Sequence, residues 1–309
     1  MAEKDILVLI DGNAILHRAY HALPPLTTRT GELVNAVYGF ATMLWRIINE
    51  VQPKYLAVSF DTSRAVFRHQ EYVGYKANRK EMDAELVGQI QRVYELVHAF
   101  NIPIYTLEGY EADDVIGTLA SQALENQNLS VLIVTGDKDF MQLVKDEKVM
   151  LYMPTHGLSE PQVVGEKEVR EKMGIKPEQV VDFKSLVGDS SDNYPGVPGI
   201  GPKTAVELLQ KFGSLEGIYQ HLGEIQSQSV VAKLQAGETS ARLSQKLARI
   251  LTDIPIKLNL TDCLARDYDP QKVTSFFQAL GFRSLVKRME DKESVKKEKI
   301  GDEGQQSLF

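Results

Sequence analysis

Short apolar runs that stop at acidic residues recur along the first half of the chain. The run 6–10 stops at Asp11 and the run 55–60 at Asp61. The run 102–107 is followed by Glu111, Asp113 and Asp114, and the run 131–135 by Asp137 and Asp139. Each is rich in Val, Ile, Leu, Tyr and Phe, and helical spacing follows. Over 34–51, for example, Val37, Phe40, Ala41, Leu44, Ile47 and Ile48 share one face. The pattern returns over 85–100 and 115–124, and 149–153 reads as one more strand. Strands alternating with helices predict βαβ units and a parallel sheet.

After about residue 180 the strands stop. Short helices are expected at 179–187, 204–212, 215–221 and 243–251, and a final one at 270–280, joined by Gly- and Pro-bearing turns. The expected organisation is therefore an α/β domain over 1–180, a helical domain over 181–289 and a tail over 290–309. The tail is Lys/Glu/Asp-rich through 304, a composition that disfavours a packed core. It turns apolar again at Gln305-Gln306-Ser307-Leu308-Phe309.

Composition changes this picture little. Apolar content is 43% and charged content 25% in 309 residues, ordinary for a globular chain. A lone cysteine, Cys263, excludes an internal disulfide framework and fits a reducing cytosol. The run 6–10 is too short for a signal-peptide core, and no stretch resembles a membrane span. A cytoplasmic location is expected. The net charge of −7 does not exclude a nucleic-acid partner, because it is concentrated. Asp11, Asp61, Glu111, Asp113, Asp114, Asp137, Asp139 and the loop acids Asp189 and Asp192 account for more than the whole excess.

Parallel strands deliver their carboxyl ends to one edge of a sheet, so these acids should converge there. Crowded carboxylates repel unless cations sit among them. With no Cys or His at ligand spacing nearby, the expected ions are hard: Mg²⁺ or Mn²⁺. Two ions spaced for in-line displacement would activate a water and stabilise the leaving oxygen of a phosphodiester. The competing reading is that acids after strands merely cap helices. Glu111 and Asp114 share a helix face and Asp113 points elsewhere, so all three serve one ion cluster only from a helix start facing the crevice. His17 and His21, at i and i+4, lack a third ligand and read as structural.

Two further segments carry chemistry. Residues 62–80 interleave Arg64, Arg68, Lys76, Arg79 and Lys80 with Phe67, Tyr72 and Tyr75. Cations for phosphates and rings for bases suit a single strand; a solvated basic loop is the alternative. Gly196-Val-Pro-Gly199-Ile-Gly201-Pro-Lys203-Thr204 precedes a helix. It reads as a helix–hairpin–helix that grips a duplex backbone without reading sequence, against a plain turn.

Taken in order, the motifs are recognisable: Asp11-Gly12 with Arg18, Phe60-Asp61, Phe67-Arg68, Gly74-Tyr75-Lys76 with Arg79, Gly109-Tyr-Glu-Ala-Asp-Asp114, Thr135-Gly-Asp-Lys-Asp139, Gly188-Asp-Ser-Ser-Asp-Asn193 and the Gly196 hairpin. Over about residues 5–290 the set resembles the 5′-nuclease domain of bacterial DNA polymerase I, in the flap endonuclease superfamily. Lys80-Glu81-Met82-Asp83 lacks the prolines that the family pattern carries there. The resemblance implies a PIN-like parallel-sheet core, a helical arch over about 62–85 and a helix–three-turn–helix duplex anchor. It implies cleavage near the 5′ ends of nicked or flapped DNA, RNA primer remnants included, by a monomeric, nucleoid-associated bacterial enzyme. By resemblance, Asp11, Asp61, Glu111, Asp113 and Asp114 serve one ion, and Asp137, Asp139, Asp189 and Asp192 another. Lys76 and Arg79 clamp the scissile phosphate, Arg18 touches phosphate, Tyr75 stacks near the 5′ end, and the hairpin backbone takes K⁺. Arg68 is grouped with Tyr75 and the hairpin residues as a DNA contact. The ending 305–309 resembles the short peptide that docks replication proteins on the sliding clamp; a chance ending or the start of a linker to a polymerase domain competes with that. Two other functions compete: a PIN-type ribonuclease, which would lack arch and hairpin, and a DNA-structure-binding module with a decayed nuclease.

Overall fold

The computed structural model describes residues 4–62, 66–156 and 160–291. Six strands form one sheet: β1 Asp5–Asp11, β2 Tyr55–Ser59, β3 Ile104–Tyr105, β4 Leu129–Val134, β5 Val149–His156 and β6 Glu160–Val164, in the order β3-β2-β1-β4-β5-β6. From β3 to β5 all neighbours are parallel; β6 returns antiparallel on β5. Helices make the crossovers: α1 (Gly12–Ala22) and α2 (Asn35–Arg46) follow β1, α3 (Phe67–Glu71) and α4 (Ala84–Ala99) follow β2, and α5 (Ala112–Ala123) follows β3. The chain builds outward from β1 to β3, then returns to add β4 on the other side of β1. That reversal opens a crevice beyond the carboxyl ends of β1 and β4. Ile10 pairs with Val134, so Asp11 and the loop 135–139 emerge side by side.

Successive side chains of a strand point to opposite faces, and both faces of this sheet are covered. Leu7, Leu9, Val131 and Ile133 join one core with α5; Val8, Ile10, Leu56 and Val58 join another with α1, α2 and α4. The expected strands and helices of the first half are present. Two elements were not expected. One is β6, an edge strand that tolerates Pro161; the other is α6 (Glu166–Met173), whose single buried residue is Val169.

The remaining helices are α7 (Val180–Val187), α8 (Pro202–Phe212), α9 (Leu215–Gln220), α10 (Gln228–Ala248) and α11 (Pro270–Ala279). α10 is far longer than the expected 243–251 helix, because its buried stripe is made partly of small residues. Gly237, Ala241 and Ser244 are buried along with Leu234 and Leu247, and small residues give no apolar periodicity.

The expected 181–289 helical domain is also not one unit. After α10 the chain crosses back to the sheet edge, where the Leu56 amide donates to Cys263 O at 2.7 Å and the Ala265 amide to Lys54 O at 3.0 Å. Val273 and Phe277 of α11 are fully buried in the core that also holds Phe100 and the apolar face of α4. α4 needs that cover, so α11 packs on the first domain's core. Among the described residues no helix is long and apolar enough to cross a membrane. The tail 292–309, including the clamp-peptide resemblance, lies outside the described residues.

Phe277→Ala should therefore lower the stability of the α/β core by about 3–5 kcal/mol. Urea unfolding followed by the fluorescence of Trp45, which lies in that core, measures this; an unchanged midpoint would detach α11 from it.

Candidate metal centre and nucleic-acid interface

Each acid reaches the crevice through a local device. Asp11 ends β1 and caps α1: one carboxylate oxygen accepts from the Ala14 amide at 3.0 Å, the other from the Thr135 hydroxyl at 2.8 Å. Asp61 follows β2 and accepts from the Ala112 amide at 2.7 Å, at the start of α5, and from Asn13 at 2.9 Å. Glu111 is the N-cap of α5, with Asp113 and Asp114 in its first turn. Asp137 caps the 3₁₀ turn 138–143 after β4 and accepts from the Asp139 amide. Asp189 closes its own turn, accepting from Ser191 N at 2.8 Å and from the Asp192 amide at 3.2 Å. The cap reading and the site reading are thus both true of several acids: a carboxylate that caps a helix with one oxygen still presents the other.

Four cations sit among these acids. Lys76 donates to Glu111 Oε1, and Arg79 to Asp192 Oδ1 at 2.6 Å. Lys184, on α7, bridges Asp139 and, at 2.7 Å, Asp189. Arg68 pairs with Glu111 and Asp114. Sequence reasoning missed Lys184. Its one signal is position, in the last turn of a helix that runs into the Asp189 loop. The charges divide the centre in two. Asp137, Asp139, Asp189 and Lys184 lie on one side; Glu111, Lys76, Tyr75, Arg79 and Asp192 lie on the other. Asp192, expected with the first group, is tied to the second by Arg79 and by the Tyr75 hydroxyl at 3.3 Å.

The countercharge is incomplete, and the carboxyl groups register it. Burial pushes Asp11 up to about 6, and burial followed by the Asp137 charge pushes Asp139 up to about 7. Where cations win, the direction reverses: despite burial, Lys76 and Arg68 hold Glu111 below the usual range, and Lys184 and Ser191 hold Asp189 at about 2. As the side chains stand, no group of three or more His, Cys, Asp or Glu among the described residues is gathered closely enough to hold an ion. The lysines and arginines turn several of them toward themselves. The donor set is nonetheless all carboxylate oxygen, short of positive charge. The Tyr194 hydroxyl, buried near the charges of Lys184 and Asp139, has no hydrogen-bond partner among the described residues. Such a set fits hard divalent cations.

Three sequence expectations need correction. Asp114 is fully buried and saturated: it takes both Arg68 Nη atoms, the Leu251 amide at 2.8 Å and the Glu111 amide at 3.3 Å, leaving nothing for an ion. Arg68 is 1% exposed and cannot touch DNA. Tyr75 is 2% exposed, its hydroxyl donating to Glu111 at 2.8 Å, so its ring is not presented for stacking. The expected arch is also not a continuous helix. Within the described part of 62–85 it is α3, then turns over 73–78 with Lys76 at φ 53°, then irregular chain up to α4. Its backbone is pinned to the acid loop by Lys76 N to Asp192 O at 2.9 Å and by Asn193 to Gly74 O at 2.6 Å.

Arg18, His17 and His21 line a cleft of about 610 Å³ together with Asp137, Asp139, Lys184 and Asp189, and the Arg18 guanidinium lies beside Gly136. The hairpin lies behind the acid loop. Gly196 (φ 62°) packs against Gly188, and a Cβ there would fall 2.2 Å from the Gly188 amide nitrogen. Gly199 is at φ 81°, and its carbonyl accepts from Lys233 at 3.2 Å. Gly201 caps α8, leaving Lys203 exposed and Thr204 half-buried in its first turn. The hairpin therefore presents backbone and a helix start next to the acid centre, as a phosphate grip requires.

Residues 6–174 match the family model of the 5′-3′ exonuclease N-terminal resolvase-like domain, and residues 175–271 that of the 5′-3′ exonuclease C-terminal SAM fold. The chain belongs to the 5′–3′ exonuclease family. It is 43% identical over 94% of its length to the DNA polymerase I of Bacillus caldotenax and 39% identical over 94% to that of Bacillus subtilis. It spans about a third of the length of these relatives, 33% in both cases. Two solved structures share the fold. One is the T5 5′-exonuclease with bound zinc (TM-score 0.67, 21% identity, covering 93% of this chain and 97% of that one). The other is the catalytic core of Rad2 with DNA substrate (TM-score 0.55, 17% identity, covering 90% and 88%). The α/β core with its helical second part is thus the 5′-nuclease architecture of this family.

The raised carboxyl of Asp11 yields a pH prediction. A carboxyl whose folded pKa is raised favours folding below its unfolded value and loses that contribution as pH rises through the folded one. In metal-free buffer Asp11 should cost stability progressively from about pH 4 to above pH 6. Asp11→Asn should then match wild type near pH 4 and melt a few degrees higher at pH 8. Equal melting temperatures at both pH values would contradict this reading of the site.

Proposed function

We propose that this chain hydrolyses phosphodiester bonds near the 5′ ends of nicked or flapped duplex DNA, RNA primer remnants included, with two Mg²⁺ or Mn²⁺ ions held by its strand-end carboxylates. The observation that carries the reading is the placement of Asp11, Asp61, Glu111, Asp137, Asp139, Asp189 and Asp192 around one crevice, with detachable lysines among them. When bound, the divalent ions would activate the attacking water and stabilise the leaving oxygen. Asp11, Asp61, Glu111 and Asp113 would serve one ion; Asp137, Asp139 and Asp189 the other; Asp192 lies between.

The chain's own residues do the rest. Lys76 and Arg79 stand three apart on one turn segment. With Glu111 and Asp192 engaged by bound cations, both side chains would be free to close on the scissile phosphate and offset its developing charge. Lys184 is placed to do the same on the other side. Arg18 lines the same cleft as Asp137, its guanidinium beside Gly136, and would hold the phosphate that enters there. The hairpin, with Lys203 and Thr204 at the start of α8, would grip the duplex backbone and leave the 5′ end over the acids. Unpairing the terminal nucleotide costs a few kcal/mol, which favours frayed 5′ ends. K⁺ at the hairpin carbonyls, docking of 305–309 on the sliding clamp and action as a monomer in the bacterial nucleoid complete the proposal.

The test is a 5′-end-labelled flap duplex with Mg²⁺, with EDTA and with Asp137→Ala. Short 5′ products from wild type with Mg²⁺ alone are expected. Tight flap binding without cleavage in Mg²⁺ or Mn²⁺ would leave only a binding module. Lys76→Ala should lower the single-turnover rate about 10²-fold or more with little change in affinity. A loss of affinity alone would reduce Lys76 to a phosphate anchor.

A further inference from the structure

Arg68 uses every donor it has. Nε donates to Leu247 O at 3.0 Å, Nη1 to Glu111 at 2.9 Å and Asp114 at 2.7 Å, and Nη2 to Asp114 at 2.8 Å and Arg249 O at 2.8 Å. The two carboxylates belong to the first turn of α5. The two carbonyls belong to the last turn of α10 and the residue beyond it, where helix carbonyls lack intrahelical partners and a cation complements the dipole. One guanidinium thus joins the acid centre to the carboxyl end of a 21-residue helix.

That same helix carries the hairpin along its length. Ser240 donates to Gly196 O at 2.6 Å, Ser244 accepts from the Gly196 amide at 3.1 Å, Lys233 donates to Gly199 O, and Gly237 lies against Val197. Lys233 and Leu247 are fourteen residues apart, a span of about 21 Å on a helix. The hairpin occupies α10 from Lys233 to Ser244, and Arg68 holds the next turn, at Leu247, so the helix carries both rigidly.

We infer that Arg68 is a positioning residue: by locking the end of α10 to the first turn of α5, it sets the distance between the hairpin's grip on a duplex and the carboxylates that cut it. The inference rests on the proposed nuclease reading for where the cut falls, though not for metal affinity. The choice of arginine follows. Lysine carries the charge but has one nitrogen, which cannot bridge two carboxylates and two carbonyls at once.

Arg68→Lys and the charge-neutral pair Arg68→Gln/Asp114→Asn test it; the pair removes one charge of each sign and leaves Glu111 its Lys76, so it is the milder change where the single variant does not fold. Three quantities are measured: the cut position on a labelled flap duplex, Mn²⁺ affinity without DNA by titration, and flap affinity in Ca²⁺ across a salt series. We expect cuts spread by one or more nucleotides, Mn²⁺ affinity several-fold weaker, and for the neutral pair an unchanged salt dependence of DNA binding. A lower melting temperature with the cut position and Mn²⁺ affinity of wild type would make Arg68 merely structural and overturn the inference. So would a salt slope reduced by about 1 in the neutral pair, the signature of a lost phosphate contact. A wild type that binds Mn²⁺ but never cuts would sink the nuclease reading alone, and the Mn²⁺ titration would still decide for or against Arg68.

Discussion

Carboxylates gathered at one edge of a parallel sheet cannot all be charged without cations between them, and most of this molecule is arranged around that constraint. The doubly wound order places β1 beside β4, so Asp11 and the 135–139 loop must emerge together. The helices that follow then have to start at the crevice, which is why Asp11, Glu111 and Asp137 are caps as well as site residues. Capping fixes one oxygen of a carboxylate and aims the other. The geometry of the centre is thus largely a product of how the crossovers begin.

The segment 66–83 answers the same constraint from above. A basic, aromatic stretch would ordinarily be solvated, but here Lys76 and Arg79 find Glu111 and Asp192, and Tyr75 is drawn under them. Left-handed Lys76 and the Asn193–Gly74 contact bend the backbone to bring this about. Divalent ions and these side chains would compete for the same oxygens, so ordering of this segment and loading of the centre are linked events.

Much of this was legible in the sequence, for local reasons. An apolar run that ends in an acid before a helical pattern needs only neighbouring residues to be read, and β1, β2 and β4 fell where that pattern put them. What escaped depends on distance. Arg68 meets Asp114 across 46 residues and Leu247 across 179, and nothing in Phe67-Arg68 signals either partner. α10 escaped because Gly237, Ala241 and Ser244 pack by being small. The return of α11 to the first core escaped because its apolar face says that it is covered, not by what. Lys184 was invisible as one lysine among 35 Lys and Arg until α7 set it between two aspartates.

The kinds of cation used at each acid carry a last distinction. Asp114 has a bidentate arginine with all five donors engaged and almost no exposure, an arrangement costly to open because both charges would be left buried and unpaired. Glu111 Oε1, Asp139 and Asp189 have lysines, single-point charges on flexible stems with 14–17% exposure, held by fewer bonds than the five of Arg68. The buried Arg68 therefore marks the carboxylate that must stay where it is, and the lysines and the half-exposed Arg79 mark those that exchange partners. Glu111 holds one of each, on different oxygens. It is the residue at which a permanent scaffold hands over to a changeable site, at the N-cap of α5.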